Sequence, residues 1–276
     1  MPGGNRLAAF SIDIEPDYGG IFGSSYVAIE DGEDLDSFRD VIDAEEIPVT
    51  LFITGDLLEN HEADADRISR MGTELQVHSH SHPRPPHDVV GEAARAYRAF
   101  EGFYGRPPSG YRSPFGYIRD ECMDGLSDLG YRYDSSLFPT FRPGRFSNLD
   151  RSLHPERHPS GLWEIPLGCF ALTRMVFSIG YLKFFGPNLF RFMLRLCGIP
   201  DILVIDSHMH DFIPTPLYSQ LPPVARARYG RHMRDGSELL VRFVSLLRAS
   251  GFEFVTLSAI ADRLDGERWQ SRVVRV

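Results

Sequence analysis

The alternation of short apolar segments with amphipathic segments constrains the fold of this chain more than any other feature. Residues 7–14 and 49–54 are apolar and rich in β-branched and aromatic residues, which predicts two strands, and a helical pattern lies between them at 36–44. Further strands are predicted at 74–78, 109–112, 131–135, 162–167, 202–207 and 252–257. Further helices are predicted at 61–71, 89–104, 120–129 and 226–249. Strands that alternate with helices indicate a parallel sheet with right-handed crossovers.

The length of the chain favours one large domain. Seven or eight strand–helix units in 276 residues fit a barrel that uses the whole chain. We therefore predict an α/β fold, a distorted or incomplete (β/α) barrel with about seven parallel strands, as a single domain over residues 1–276. An open doubly wound sheet is the competing fold, but no G-x-G-x-x-G motif follows the first strand. Residues 138–157 are rich in Pro, Arg and Ser, which predicts a long loop.

Two carboxylates lie at the end of the first predicted strand. Asp13 and Glu15 are two residues apart, so their side chains point to the same side of an extended chain. Neighbouring carboxylates repel each other unless a cation or a shared proton holds them together. The same short sequence is also typical of a helix cap or a surface loop.

Three histidines follow the strand predicted at 74–78. His78 and His82 are four residues apart, so they lie on one side if a turn or a helix begins there, whereas His80 points elsewhere. Imidazole together with carboxylate is a donor set that zinc, cobalt and nickel prefer. A solvated histidine loop is the alternative. Because parallel α/β folds place their sites at the carboxyl ends of strands, the two clusters together predict a divalent metal centre.

The composition argues against several classes of function. There are 29 Lys and Arg against 38 Asp and Glu, and this net charge of −9 disfavours nucleic-acid binding. Cys122, Cys169 and Cys197 are too widely spaced for a zinc knuckle or a disulfide framework. The first residues do not have the pattern of a signal peptide, so we expect a cytoplasmic protein. The apolar stretch at 175–196 contains basic residues and a Gly-Pro-Asn break, which predicts at most peripheral contact with a membrane surface.

The order of these motifs resembles the polysaccharide deacetylase family, also called carbohydrate esterase family four. An acidic motif near the start, D-x-E, precedes the histidine motif H-S-x-S-H, as in that family. The blocks that follow in the family's order are V-T-L-F-I-T-G at 49–55, G-Y-R-S-P-F-G at 110–116, G-Y-R-Y-D-S-S-L at 130–137, L-W-E-I-P at 162–166 and H-M-H-D at 208–211. The resemblance spans about residues 7–265 and favours the subgroup that works in exopolysaccharide or cell-envelope pathways.

The resemblance implies a set of metal ligands. Glu15, His78 and His82 would hold the ion, which we expect to be zinc, with cobalt or nickel as alternatives. The spacing D-x-E differs from the adjacent aspartates of many family members, and Asp17 is therefore an alternative to Glu15 as the ligand.

The resemblance also implies the groups that transfer protons. Asp13 would be the general base, and Arg112 would orient it and lower its pKa. His208 would be the general acid for the leaving amine, with Asp134 beside it to keep it protonated. His210 is a rival for the acid role, because this block differs from the usual family pattern.

The implied reaction is metal-dependent removal of an N-acyl group, expected to be N-acetyl, from an amino sugar in a glycan or a lipid-linked glycan precursor. Hydrolysis of another small amide, such as a formamido sugar or a cyclic ureide, is the alternative activity. A non-catalytic carbohydrate-binding relative is a third possibility, although such a protein would have lost a ligand or the base. The sequence does not predict the oligomeric state.

Overall fold

The computed structural model describes residues 6–23, 25–30, 32–213, 215–230, 235–266, 269 and 271–276. The strands are β1 (Arg6–Ile14), β2 (Val49–Ile53), β3 (Glu74–Val77), β4 (Gly110–Tyr111), β5 (Tyr133–Asp134), β6 (Phe141–Arg142), β7 (Phe146–Ser147), β8 (Glu156–Arg157), β9 (Trp163–Glu164), β10 (Ile199–Pro200), β11 (Ile202–Ile205), β12 (Phe252–Phe254) and β13 (Val273–Val274). The helices are α1 (Asp17–Gly20), α2 (Val27–Glu30), α3 (Gly32–Ala44), α4 (Gly55–Asn60), α5 (Glu62–Ser69), α6 (Val89–Tyr104), α7 (Glu121–Asp128), α8 (Ile179–Phe185), α9 (Pro187–Cys197), α10 (Pro223–Gly230), α11 (Gly236–Ala249) and α12 (Leu257–Gly266). Short 3-10 turns lie at Pro114–Gly116, Met209–Asp211 and Pro216–Gln220.

One curled sheet organises the molecule. Seven parallel strands run in the order β11-β1-β2-β3-β4-β5-β9, β12 pairs in parallel with the first three residues of β1, and β8 adds an antiparallel edge. The chain after β9 lies against β11 at the other end of the sheet, where the Gly168 N–H donates to the Val204 carbonyl at 2.9 Å. The prediction of a distorted or incomplete barrel with about seven parallel strands is confirmed.

The alternation of side chains along β1 places the first carboxylate inside the curled sheet. Ala8, Phe10 and Ile12 pack in the larger core, between the sheet and the helices, whereas Leu7 and Ala9 pack in a second core on the opposite face. Successive residues of a strand point to opposite faces. Ser11 and Asp13 continue the face of Leu7 and Ala9, so the carboxylate of Asp13 points into the interior near the carboxyl end of the strand.

Four of the five predicted helices lie where the sequence patterns place them. The helix predicted at 89–104 is α6, and the one predicted at 36–44 is the greater part of α3. The prediction of one helix at 226–249 is wrong in part, because α10 ends at Gly230 and α11 begins at Gly236, while residues 231–234 lie outside the described residues. The sequence pattern does not predict α4, and the loop predicted at 138–157 contains the short β6–β7 pair. In the described part of the chain, every helix is too short or too polar to cross a bilayer.

A buried amide reinforces the narrow junction between β3 and β4. The two strands share one register pair, Val77 with Tyr111. The Gln76 side chain is 2% exposed, and its Oε1 accepts hydrogen bonds from the backbone N–H groups of Ser109 at 2.9 Å and Gly110 at 2.7 Å. Gln76 therefore satisfies one half-buried and one buried donor that the short ladder leaves without a backbone partner.

Replacing Gln76 by leucine should lower the free energy of unfolding. The leucine side chain has a similar size but no acceptor, so both N–H groups would be left without a partner, at a cost of roughly 2–4 kcal/mol. Urea denaturation followed by circular dichroism would measure this loss. The matched control is Gln220→Leu, at an exposed position of a 3-10 turn, which should change stability little. Equal unfolding midpoints for the two variants would contradict the role of Gln76.

Candidate active site

A left-handed turn after β3 brings two histidine rings together. The His78 N–H donates to the Ile53 carbonyl at 2.8 Å and so extends the ladder by one residue. Ser79 and His82 then adopt positive φ angles of 56° and 51°, which reverse the chain. The His78 and His82 ring centroids lie 5.1 Å apart, whereas His80 points away and its Nε2 faces Glu59 Oε2 at 2.9 Å.

The carboxylate of Glu92 holds this turn from outside. Glu92 is 4% exposed, and its Oε2 accepts hydrogen bonds from the N–H groups of His80 at 3.0 Å and Ser81 at 2.8 Å. Backbone strain of this kind persists only where the surrounding structure fixes it. The sequence reasoning missed Glu92, since an acidic residue in the first turn of a helix is common for the sake of the helix dipole alone.

Glu15, His78 and His82 form a buried cluster of metal-type donors. Glu15 Oε2 lies 2.5 Å from His82 Nε2 and 3.5 Å from His78 Nε2. Within the described residues, neither Nε2 atom has a hydrogen-bond partner. The structure places Asp17 elsewhere, where its Oδ2 accepts a hydrogen bond from Thr215 Oγ1 at 3.2 Å.

The donor chemistry of this cluster fits a divalent cation. His78 Nδ1 lies 3.0 Å from the Arg112 carbonyl, so Nδ1 carries the proton and Nε2 keeps its lone pair directed at Glu15. Burial raises the pKa of Glu15, but the neighbouring imidazoles of His82, His208 and His78 outweigh it, so that the pKa lies well below its usual value. An ionised carboxylate and two imidazole nitrogens are a common ligand set for zinc.

The guanidinium of Arg112 is buried against Asp13. Arg112 Nη1 donates to Asp13 Oδ1 at 2.7 Å and to Ser11 Oγ at 2.9 Å. Arg112 Nε donates to the Ser135 carbonyl at 2.8 Å, and the guanidinium carbon lies 4.0 Å from the centroid of the Phe52 ring. The other carboxylate oxygen of Asp13 lies 3.8 Å from His78 Nε2, so Asp13 stands between the arginine and the candidate metal ligands.

The two histidines of the last motif differ in their surroundings. His208 Nε2 lies 3.6 Å from Glu15 Oε1, and its side chain is 29% exposed. Burial alone would lower the pKa of His208, but the carboxylates of Glu15, Asp206, Asp13 and Asp211 raise it to about 9. His208 is thus an imidazole that is protonated at neutral pH and reaches the opening of the site.

His210 is enclosed behind His208. Its ring stacks on that of His208, with centroids 5.0 Å apart, and it also lies 4.9 Å from the Tyr18 ring. Burial, together with the charge of His208, lowers the pKa of His210 to about 4. A neutral, buried ring is suited to packing and hydrogen bonding rather than to donating a proton to a substrate.

The expected pairing of Asp134 with His208 is wrong. Among the described residues, the carboxylate of Asp134 accepts hydrogen bonds from the N–H of Ser136 at 3.0 Å and from its Oγ at 2.6 Å, and it also interacts with Glu164. Asp134 and Glu164 are direct register partners on β5 and β9, which explains the contact. His208 lies at the other end of the sheet, where its backbone pairs in parallel with that of Asp13 in β1.

Two other aspartates face His208 in place of Asp134. Asp206 is 6% exposed, and its Oδ1 lies 3.9 Å from Arg112 Nη1 and has no hydrogen-bond partner in the described residues. Asp211 Oδ2 accepts a hydrogen bond from the backbone N–H of His208 at 3.1 Å. The backbone carbonyl of Asp211 accepts one from Lys183 Nζ at 2.9 Å. The sequence contained a signal for Asp206, because an acid two residues before a histidine at a strand end repeats the logic of the D-x-E motif.

The chain is similar to known proteins in both sequence and structure. Residues 24–133 match the family model of polysaccharide deacetylases. A crystal structure from Mycobacterium smegmatis, described as a polysaccharide deacetylase, is 19% identical, covers 96% of this chain and 92% of its own, and superposes with a TM-score of 0.63. The PuuE allantoinase is 16% identical with a TM-score of 0.61, covering 97% and 93%. A peptidoglycan N-acetylglucosamine deacetylase is 15% identical with a TM-score of 0.54, covering 94% and 89%. No curated protein matches the sequence.

The candidate ligand cluster predicts that purified protein retains a divalent metal. Replacing His78 and His82 together by alanine removes both imidazole donors, so affinity for the ion should fall by orders of magnitude. Metal content after dialysis against a chelator, measured by atomic emission, checks this. The His80→Ala variant is the control and should keep its metal, because His80 points out of the cluster. Equal metal content in the double variant and the wild type would contradict the assignment.

Proposed function

We propose that this chain removes an N-acetyl group from an amino sugar, as an amide-cleaving hydrolase of the polysaccharide deacetylase family, whose model matches residues 24–133. The substrate class that we propose is a glycan or a lipid-linked glycan precursor. The observation that carries the proposal is the convergence, within one buried cluster, of a metal-type donor set, an arginine-held carboxylate and a partly exposed imidazole.

The proposed metal is zinc, with cobalt or nickel as alternatives, held by Glu15, His78 and His82. When bound, such an ion would polarise the amide carbonyl and lower the pKa of water. The remaining steps belong to side chains of this protein.

Asp13 is the proposed general base. Arg112 Nη1 donates to Asp13 Oδ1 at 2.7 Å, and this charged hydrogen bond fixes the orientation of the carboxylate. The carboxylate can therefore accept a proton from the attacking water. Hydrogen bonds to Ser11 and Ser135 also hold the guanidinium in place.

His208 is the proposed general acid. Its ring is directed at the same carboxylate, Glu15, that faces His78 and His82, and part of the ring is open to the site. A group that donates a proton to a leaving amine must reach the substrate, and His208 meets this requirement whereas the enclosed His210 does not. Proton donation by His208 would release the amine of the sugar, and Asp13 would then hold the proton taken from water.

Assay of the released products tests the function. Purified protein would be incubated with N-acetyl and N-formyl sugars, free and lipid-linked, and with a cyclic ureide, and acetate, formate and ammonia would be measured separately. We expect acetate, because the proposed substrate is an N-acetyl sugar. Asp13→Asn keeps the shape of the site but removes the base, so it should lose most of the turnover while it retains metal.

Formate or ammonia in place of acetate would instead support the alternative activity on a formamido sugar or a cyclic ureide. Binding of the sugars without any product would support a non-catalytic carbohydrate-binding protein. Loss of metal in step with loss of activity in Asp13→Asn would mean that Asp13 is a ligand and not the base.

A matched pair of substitutions distinguishes the two histidines. His208→Phe should lower turnover by about 10²–10⁴, the usual contribution of a positioned acid. His210→Phe keeps an aromatic ring beside Tyr18 and should reduce turnover far less. Steady-state rates of acetate release from the same substrate measure both. The reverse ranking would assign the acid to His210.

A further inference from the structure

One segment of this acidic chain contains no acidic residue. The chain has 38 Asp and Glu residues, yet none lies between Glu164 and Asp201. The same segment carries four basic residues, Arg174, Lys183, Arg191 and Arg195. It forms α8, α9 and the chain on either side of them. Lys183 is buried, so the arginines give this segment a local positive surface on a protein of net charge −9.

Helix α9 is apolar on more of its surface than the fold covers. Phe190 and Leu194 are buried against the rest of the molecule. Leu189, Phe192 and Leu196 are 40%, 58% and 50% exposed, and their spacing of three and four residues places them on one face of the helix. That exposed face continues the buried one, so α9 has a broad apolar surface, part of which contacts solvent.

Two further exposed side chains lie beside the end of α9. The Ala171 N–H donates to the Gly198 carbonyl at 2.9 Å, which places the next residue, Leu172, near the carboxyl end of the helix, and Leu172 is 70% exposed. Gly198 also lies against the side chain of Val273, which is 50% exposed. We call the surface formed by Leu172, Leu189, Phe192, Leu196 and Val273 the α9 face.

Arginines flank the α9 face. Arg191 and Arg195 are exposed and lie one turn apart, next to Phe192 and Leu196 in the helix. Neither forms an ion pair with any residue that the structure describes, in contrast to exposed arginines elsewhere, such as Arg132 with Asp262 at 2.7 Å. Their charges are therefore free to meet anionic groups of a partner.

This combination of features favours a lipid surface over a second copy of the chain. A symmetric contact through the α9 face would bring the same arginines of two copies together, and the acid-free segment supplies no carboxylate to neutralise them. An interfacial helix instead inserts leucine and phenylalanine between lipids, while arginines beside it reach the headgroups. Phosphate groups of acidic lipids supply the complementary charge.

We propose that the α9 face docks this protein onto the surface of an anionic lipid bilayer. The helix would lie in the plane of the interface, with Phe192 and Leu196 in the acyl boundary and Arg191 and Arg195 at the headgroups. The docking does not depend on which acyl group the active site releases.

Sedimentation with lipid vesicles tests this proposal. The wild-type protein should bind vesicles made of equal parts phosphatidylglycerol and phosphatidylcholine, and should bind vesicles of phosphatidylcholine alone much more weakly. Arg191→Gln/Arg195→Gln should weaken binding to the anionic vesicles by roughly 25-fold, since each arginine near such a surface contributes about fivefold. Raising the salt concentration should reduce the binding of the wild type.

A matched pair of double variants isolates the apolar contribution. Phe192→Ser/Leu196→Ser should abolish sedimentation with vesicles. Phe141→Ser/Leu149→Ser removes a phenylalanine and a leucine of similar exposure, 55% and 48%, outside the α9 face, and should bind like the wild type. Circular dichroism and acetate release from a water-soluble N-acetyl sugar should be unchanged in both.

Three results would overturn the proposal: no vesicle binding by the wild type, equal binding to neutral and anionic vesicles, or equal loss of binding in the two double variants. A wild-type dimer in light scattering that Phe192→Ser/Leu196→Ser converts to a monomer would also overturn it, because a second copy would then cover the face. Absence of hydrolysis by every protein would count against the proposed function and leave the vesicle result as it stands.

Discussion

The buried guanidinium of Arg112 is the interaction on which the geometry of the site depends. A buried charge is costly unless it is paired and hydrogen-bonded, and Arg112 meets this condition by contacting groups from separate strands. Ser11 and Asp13 come from β1, Phe52 from β2 and Ser135 from the end of β5, while Arg112 itself follows β4. These contacts join the carboxyl ends of four strands at one point. Because two of those strands have only two residues each, the guanidinium supplies much of the alignment that longer ladders provide elsewhere.

Local periodicity in the sequence was enough to predict the strands that position the chemistry, and the ends of those strands identify Asp13, Glu15, His78 and His82. Local periodicity did not predict the side-chain contacts that depend on which strands become neighbours in the sheet. The pairing of β5 with β9 sets Asp134 opposite Glu164, whereas β11 pairs with β1 at the far side of the sheet and brings Asp206 and His208 to Asp13. These contacts join residues far apart in the chain, and no spacing within one motif encodes them. Glu92 is a similar case, because its partners in the histidine turn are known only once α6 packs beside β3.

The only lysine of the chain lies behind the active site rather than on the surface. Every other basic position among the 29 Lys and Arg residues is an arginine, but Lys183 is 3% exposed and its ammonium donates to the carbonyl of Asp211. A compact ammonium on an unbranched stem fits a narrow buried position that a planar guanidinium with five donors would not. Burial raises the pKa of Asp211, but the positive charge of Lys183 outweighs this effect and lowers the pKa. The carboxylate that accepts the backbone N–H of His208 is therefore ionised.

Burial and the distribution of charge give the stacked imidazoles of His208 and His210 different protonation states. Rings 5.0 Å apart in a buried site cannot both be imidazolium cations without strong repulsion. His208 has carboxylates on several sides, whereas His210 lies among the rings of Tyr18 and Tyr229, and burial and the charge of His208 lower its pKa. The positive charge therefore lies on His208, the ring that is partly exposed, and His210 is neutral. The motif H-M-H at a strand end presents two chemically identical side chains, and the residues that distinguish them lie on other segments of the chain.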